Sequence, residues 1–207
     1  ADSVSCRSGR NGARKPLDLD RLTHLVQSSC AGLADVEPDR ILKATLKDLY
    51  DGVAVEEVRK GVVLSARALI EKDPAYSYVT ARLLLDSLRF EALGEEATQE
   101  EMAVKYPEYF PRFVKHGVKI GLLNEALLQF DMEKLGAALK PERDLQFGYL
   151  GLQTLYDRYF LHIDGTRIEM PQAFYMRVAM GLALNEVNRE DSAIEFYNVL
   201  STFDFMS

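Results

Sequence analysis

FGYLGLQTLYDRYFLHIDGTRIEMPQAFYMRVAMGLAL, residues 147–184, decides the fold class. Apolar residues recur three and four apart from Phe147 to Phe160 and again from Pro171 to Asn185. That period predicts two apolar helices, joined around the turn His162-Ile163-Asp164-Gly165. Pro171 suits a first helical turn, where its missing N–H is not needed. The following AIEFYNVLSTFDFMS (193–207) belongs to a last helix running from about Asp191 to Phe203. Phe147, Tyr149, Tyr156, Tyr159, Phe160, Phe174, Tyr175, Phe196, Tyr197, Phe203 and Phe205 crowd this third of the chain at largely helical spacing. Packing into a dense core is the expected role, because rings bury large area and each hydroxyl needs only one partner.

Moving towards the N-terminus, the helical period persists. Leu22, Leu25, Val26, Cys30 and Leu33 predict one helix with Gly32 near its stop, and Ile41, Leu42, Thr45, Leu46 and Leu49 a second, entered at Glu37 and Pro38 and followed by the turn Asp51-Gly52. A third is expected over 55–71 with Val58, Val62, Leu64, Leu69 and Ile70 as its contacts, and a long fourth over 76–93 after the break at Asp73-Pro74. Between Gln99 and His116 the pattern is interrupted by Pro107 and Pro111, which predicts two shorter pieces or a loop between them. Gly117, Gly121 and Pro141 punctuate short segments beyond. The start differs: Val4–Arg7 and Ala13–Leu17 flank Asn11-Gly12 and read as a β-hairpin.

The expected fold is therefore mainly α. A hairpin-with-helices module covers 1–93 and an all-helical domain covers 94–207, with the acidic stretch 94–101 as the boundary. No self-similarity at 34 or 40 residues supports a repeat array. At 207 residues and 47% hydrophobic, the chain can bury a sizeable core without staples. Cys6 and Cys30 are its only cysteines and form no metal-ligand spacing, which fits a reducing cytoplasm. The net charge of −7 gives no general attraction to nucleic acid, and no apolar run reaches the roughly 18 residues that cross a bilayer. A soluble cytoplasmic protein, with neither nucleic acid nor membrane as partner, is expected. The first residue is not methionine and the last follows the apolar FDFM, as in a piece of a longer protein.

Candidate chemistry is sparse. Arg7, Arg10, Arg14 and Lys15 crowd the hairpin turn with Gly9 and Gly12, a place where charge and open backbone N–H groups could meet a phosphate. Solvated surface cations are the alternative. His24, His116 and His162 lack a ligand or orienting partner at helical spacing, so no metal site is expected. The paired carboxylates Glu56-Glu57, Glu95-Glu96, Glu100-Glu101 and Glu190-Asp191 sit where helix starts or loops keep them hydrated. No catalytic residue is nominated.

Residues 147–184 and 193–207 resemble the large, catalytic subunit of class I ribonucleoside-diphosphate reductase. RNGARKPLDLDRL (10–22), the helices ending in YDGV (50–53) and DPAYSYVTARLL (73–84) resemble the ATP-cone that opens many of these subunits, a lid of hairpin and helices. The resemblance implies that Arg10, Lys15, Asp18 and Arg21 occupy positions lining ATP or dATP. It also implies that the parent enzyme takes such effectors, receives its radical from a small subunit, and is a homo-oligomer. Glu169-Met170-Pro171-Gln172 with Arg177 resembles the family's Glu-x-Pro-Gln segment. There Glu169 or Gln172 is expected to satisfy backbone groups and Arg177 to form a buried or half-buried ion pair.

The cone departs from the family pattern. Gly9 stands where the family has a lysine, Val55 and Arg59 where it has a threonine and a histidine, and Phe90 where it has a lysine. A degenerate cone with weak or absent nucleotide binding is expected. In the family the barrel that follows holds the thiyl-radical cysteine and redox pair, so residues 1–207 alone are expected to be inactive. The alternative reading is a non-enzymatic helical module whose basic hairpin docks an acidic partner or nucleotide.

Overall fold

The computed structural model describes residues 4–8 and 12–203. The chain is mainly helical, and backbone contacts divide it into two compact units. Unit 1 comprises residues 1–87 with 147–154, and unit 2 comprises 88–146 with 155–207.

In unit 1, β1 (Ser5–Ser8) pairs antiparallel with β2 (Ala13–Pro16), Cys6 opposite Lys15. Asn11 of the expected turn lies outside the described residues. The sheet also has a third strand that the hairpin expectation omits: β3 (Val53–Ala54) joins β1 in parallel, with Cys6 opposite Val53. Two residues are too few to show a period, and their partner is far away in sequence. Asp51, in the turn before β3, draws the edge together. It accepts from the Ser5 backbone N–H at 3.0 Å and from the Ser5 hydroxyl, and faces Arg14 at 3.5 Å. Arg7 Nε donates to the Gly52 carbonyl at 2.6 Å. Behind the sheet, Cys6, Val53 and Val58 are buried with Leu17, Leu49 and Val55 packed against them.

Four helices complete the module: α1 (Leu19–Cys30), α2 (Pro38–Lys47), α3 (Val55–Arg67) and α4 (Tyr76–Leu93), the last reaching into unit 2. Asp18 caps α1 by accepting from the Arg21 N–H at 3.0 Å, satisfying one of the donors that a helix start leaves open. Pro38 occupies the first turn of α2, and the Glu37 N–H donates to the buried Tyr76 hydroxyl at 2.9 Å. Leu64, expected as a core contact, is instead 57% exposed, because the buried side of α3 is formed by Val58, Arg59, Val62, Val63 and Ala66. Helix α7 (Tyr149–Arg158) begins in this unit, where the Tyr149 N–H donates to the Ser77 hydroxyl and Arg67 lies over the Tyr149 ring.

Unit 2 is built on α5 (Met102–Lys119), α6 (Met132–Ala138), the end of α7, α8 (Pro171–Ala183) and α9 (Arg189–Ser201), with single 3-10 turns at Glu125–Gln129 and Pro141–Gln146. The break expected at Pro107 and Pro111 does not occur: α5 runs through both. Met102, Tyr106, Tyr109, Phe110, Phe113 and Val114 form one buried stripe, and its burial outweighs the bonds the prolines delete. Pro111 has no N–H to give the Pro107 carbonyl. That freed oxygen faces α6 at Gly136, whose missing Cβ would stand 3.2 Å from it. Gly136→Val is therefore expected to cost about 1–3 kcal/mol by overpacking, read as a lower midpoint in thermal melts.

The turn expected at 162–165 is the tip of a small hairpin, β4 (His162–Ile163) with β5 (Thr166–Arg167). Asp164 and Gly165 both have positive φ, as a tight two-residue connection requires. No helix of the described residues is long and apolar enough to cross a membrane.

Candidate functional site

In unit 1 the positions implied to line a nucleotide are distributed as follows. Lys15 is exposed on β2, Asp18 is the cap of α1, and Arg21 lies on the first turn of that helix; Arg10 is outside the described residues. The Asp18 carboxylate and the Arg21 backbone are joined by the capping bond, while the Arg21 guanidinium turns elsewhere. Its Nη2 lies 3.7 Å from Asp86 Oδ1 on α4, and the other carboxylate oxygen accepts from Arg59 Nη1 of α3 at 2.7 Å. Arg59 and Asp86 are both almost fully buried, so three helices meet at two guanidinium groups and one carboxylate. One signal for Asp86 was available: it is a charge inside the apolar row Leu83, Leu84, Leu85, Leu88.

The same unit holds both cysteines, free and buried. Burial pushes the Cys30 thiol up to about 11, against the influence of Arg82, so little thiolate forms near neutrality. Arg82 itself donates to the Ser29 and Ala31 carbonyls and closes the end of α1.

In unit 2 the Glu-x-Pro-Gln segment enters α8. Glu169 is fully buried and receives Arg177 through both oxygens, at 2.6 Å from Nε and 3.0 Å from Nη2, while its Oε1 also accepts from the Leu161 N–H. Burial pushes its carboxyl up and Arg177 pulls it down. Pro171 opens the helix, and Gln172 bridges its neighbours: its Nε2 donates to Asp144 Oδ1 at 2.7 Å and its Oε1 accepts from the Tyr197 hydroxyl at 2.5 Å.

Asp144 also accepts from the Tyr106 hydroxyl at 2.6 Å and is pushed by burial up to about 7, although its two donors favour the charged form. Tyr197 in turn accepts from the Lys140 N–H. Beside this network, Tyr109 donates to the Ile168 carbonyl and accepts from the Met170 N–H. Asp144, Tyr106 and Tyr197 were not nominated from sequence. Asp144 lies in the polar segment PERDLQ (141–146), which shows no sign of burial.

Chemically, these groups bind one another. The carboxylates of Glu169 and Asp144 are held by side chains of their own unit, as in a scaffold that fixes helix starts. Among the described residues no group of three or more His, Cys, Asp or Glu could hold a metal ion.

Two family models match the chain in succession: the ATP cone domain over residues 8–91, and the ribonucleotide reductase all-alpha domain over residues 145–207. Ribonucleoside-diphosphate reductase subunit alpha of Chlamydia trachomatis is 41% identical over 184 residues, 89% of this chain and 18% of that protein. The subunit alpha of Chlamydia muridarum is 46% identical over 158 residues, and that of Helicobacter pylori 34% over 199. The chain belongs with the N-terminal region of ribonucleotide reductase large subunits. It covers 76% of its own length and 15% of the relative in the C. muridarum match, and 95% and 24% in the H. pylori match, so it spans roughly a fifth of these relatives. Within the reductase family frame, the three-helix ion cluster lies in the cone domain and the buried Glu169 and Asp144 networks lie at or beside the all-alpha domain.

Proposed function

We propose that this chain is the regulatory and scaffolding N-terminal region of an enzyme that reduces ribonucleoside diphosphates to deoxyribonucleotides by radical chemistry. The observation that carries the reading is the succession, on one chain, of an ATP cone domain and the reductase all-alpha domain. Residues 1–93 act as the cone and 94–207 as the helical support for a barrel in the rest of the subunit. A small subunit supplying the radical, a second large subunit and ATP- or dATP-type effectors complete the assembly, which works in the cytoplasm.

Thiyl chemistry needs a cysteine placed at the substrate to give up a hydrogen atom, and a dithiol pair to reset it. Cys6 and Cys30 are both buried within unit 1, which supports a region that supports catalysis without performing it. Extending the gene sequence past codon 207 tests the assignment. An open frame through a Ser-Thr-Pro-Thr segment to a cysteine soon afterwards is the expected result, and an immediate stop codon would overturn it.

Within the cone we assign Arg10, Lys15, Asp18 and Arg21 to a weakened effector site. Val55, Arg59 and Phe90 supply no short polar or lysine contact of the kind an intact cone offers, and the Arg59 guanidinium is already engaged by Asp86. Titration of dATP by calorimetry is expected to give no micromolar binding, and a micromolar Kd would rule out the degenerate cone.

A further inference from the structure

We propose that a cleft in unit 2, between the end of α4 and one face of α5, binds a free α-amino acid with an apolar side chain. The inference goes beyond the reductase reading and does not depend on it. The cleft has a volume of about 510 Å³, within the range that accommodates small ligands, and every residue lining it belongs to unit 2.

The helical period places Lys105, Glu108, Tyr109, Arg112, Phe113 and His116 on one face of α5, and all six line the cleft. Tyr109 and Phe113 are buried with their rings stacked, 5.5 Å between centroids. The Tyr109 hydroxyl is already bonded to the Ile168 carbonyl and the Met170 N–H, so what these two residues offer a ligand is ring surface. Leu93 and Ile168 extend that apolar lining.

The charged groups are of two kinds. Lys105 and Glu95 are paired with each other at 2.6 Å. Glu108 and Arg112 are not, although residues four apart on a helix have Cβ atoms only about 5–6 Å from each other and commonly pair. Arg112 Nε instead donates to the Glu108 backbone carbonyl at 3.1 Å, and among the described residues its two Nη groups and the Glu108 carboxylate have no partner. The hydrogen bond from Lys105, with Arg112 adding to it, holds the Glu95 carboxyl below the usual carboxylate range, so Arg112 is felt across the cleft. An unengaged cation and an unengaged anion one turn apart match a ligand that carries both charges on one carbon. Its carboxylate takes the Arg112 guanidinium through two bonds, with His116 a turn further along, and its ammonium takes Glu108. The ligand's side chain then lies on Leu93, Phe113 and Ile168. A phosphate with several negative charges would be repelled by Glu95 and Glu108 in the same cleft.

The test is amide-resolved NMR titration of the full 207-residue chain with three probes: L-phenylalanine, phenylpropanoate, which lacks the ammonium, and phenethylamine, which lacks the carboxylate. L-phenylalanine is expected to bind with a Kd on the order of millimolar, as suits roughly a dozen non-hydrogen atoms in an open cleft. Each analogue is expected to bind about tenfold more weakly, for the loss of one charged contact. Arg112→Ala is expected to weaken L-phenylalanine and phenylpropanoate about tenfold and to leave phenethylamine unchanged. Glu108→Gln is expected to weaken L-phenylalanine and phenethylamine and to leave phenylpropanoate unchanged. Both side chains are exposed, so neither variant disturbs the fold, and the comparison of the three probes on wild type needs no variant. No titration by L-phenylalanine at roughly ten times the expected Kd, equal affinity for it and both analogues, or L-phenylalanine binding unchanged in Arg112→Ala would overturn the site.

Discussion

Arg177→Ala is expected to destabilise the chain by about 3–5 kcal/mol, as for a buried ion pair broken from one side. Glu169 is the reason. It is fully buried and meets Arg177 through two hydrogen bonds, so the variant leaves a carboxylate inside the protein with one backbone N–H, that of Leu161, as its remaining partner. Arg177→Lys is expected to recover only part of the loss, because an ammonium cannot make the two parallel bonds of a guanidinium.

The pH dependence gives the result a second signature. Burial already pushes the Glu169 carboxyl up, and losing Arg177 removes the main opposing influence. A carboxyl raised in the folded state favours folding when protonated, and that contribution fades as pH rises through the raised value. The deficit of Arg177→Ala should therefore be smaller at about pH 5 than at about pH 8 in urea unfolding. An unchanged midpoint at both would show that Arg177 is not the group that stabilises Glu169.

Asp144 carries the second large effect. Its carboxyl is pushed up from an ordinary 3.8 to about 7, burial prevailing over the donors Tyr106 and Gln172. Between those values the unfolded chain has released the proton that the folded chain retains. The stabilisation is thus fully present below about 4 and is lost as pH rises through about 7. At roughly 1.4 kcal/mol per unit, the change amounts to a few kcal/mol across that window. Asp144→Asn keeps the volume and removes the titration, so unfolding free energy measured from about pH 4 to about pH 7 should lose this slope. A variant with the wild-type slope would assign the dependence to another group.

Helix α4 was legible from sequence to its ends, because a strong apolar period lies between two plain stops, Asp73-Pro74 and Gly94. The hairpin strands were legible for the same local reason. Helix α5 was misread because proline chemistry is local while the compensation is tertiary: the stripe from Met102 to Val114 has to be packed before its burial counts. The third strand was missed because two residues carry no pattern. Glu169, Pro171, Gln172 and Arg177 drew attention as a motif. Of their partners, Tyr197 was read only as a core ring and Asp144 and Tyr106 not at all, since neither a polar residue in a polar segment nor a single ring shows which neighbours the chain will bring to it. Asp86 lies between these cases: its charge within an apolar row was visible, but the arginines it would meet were not.

The pairing of β1 with β3 bears on the order in which the module is built. Ser5 bonds to Asp51, 46 positions away, and β3 completes the sheet only alongside those contacts. During synthesis the first strand thus emerges well before its parallel neighbour exists, with α1 and α2 translated in the interval. Such distant pairing makes closure of the sheet a late step relative to local helix formation. Nascent chains stalled before codon 51 would accordingly hold helices beside an edge that still lacks its third strand.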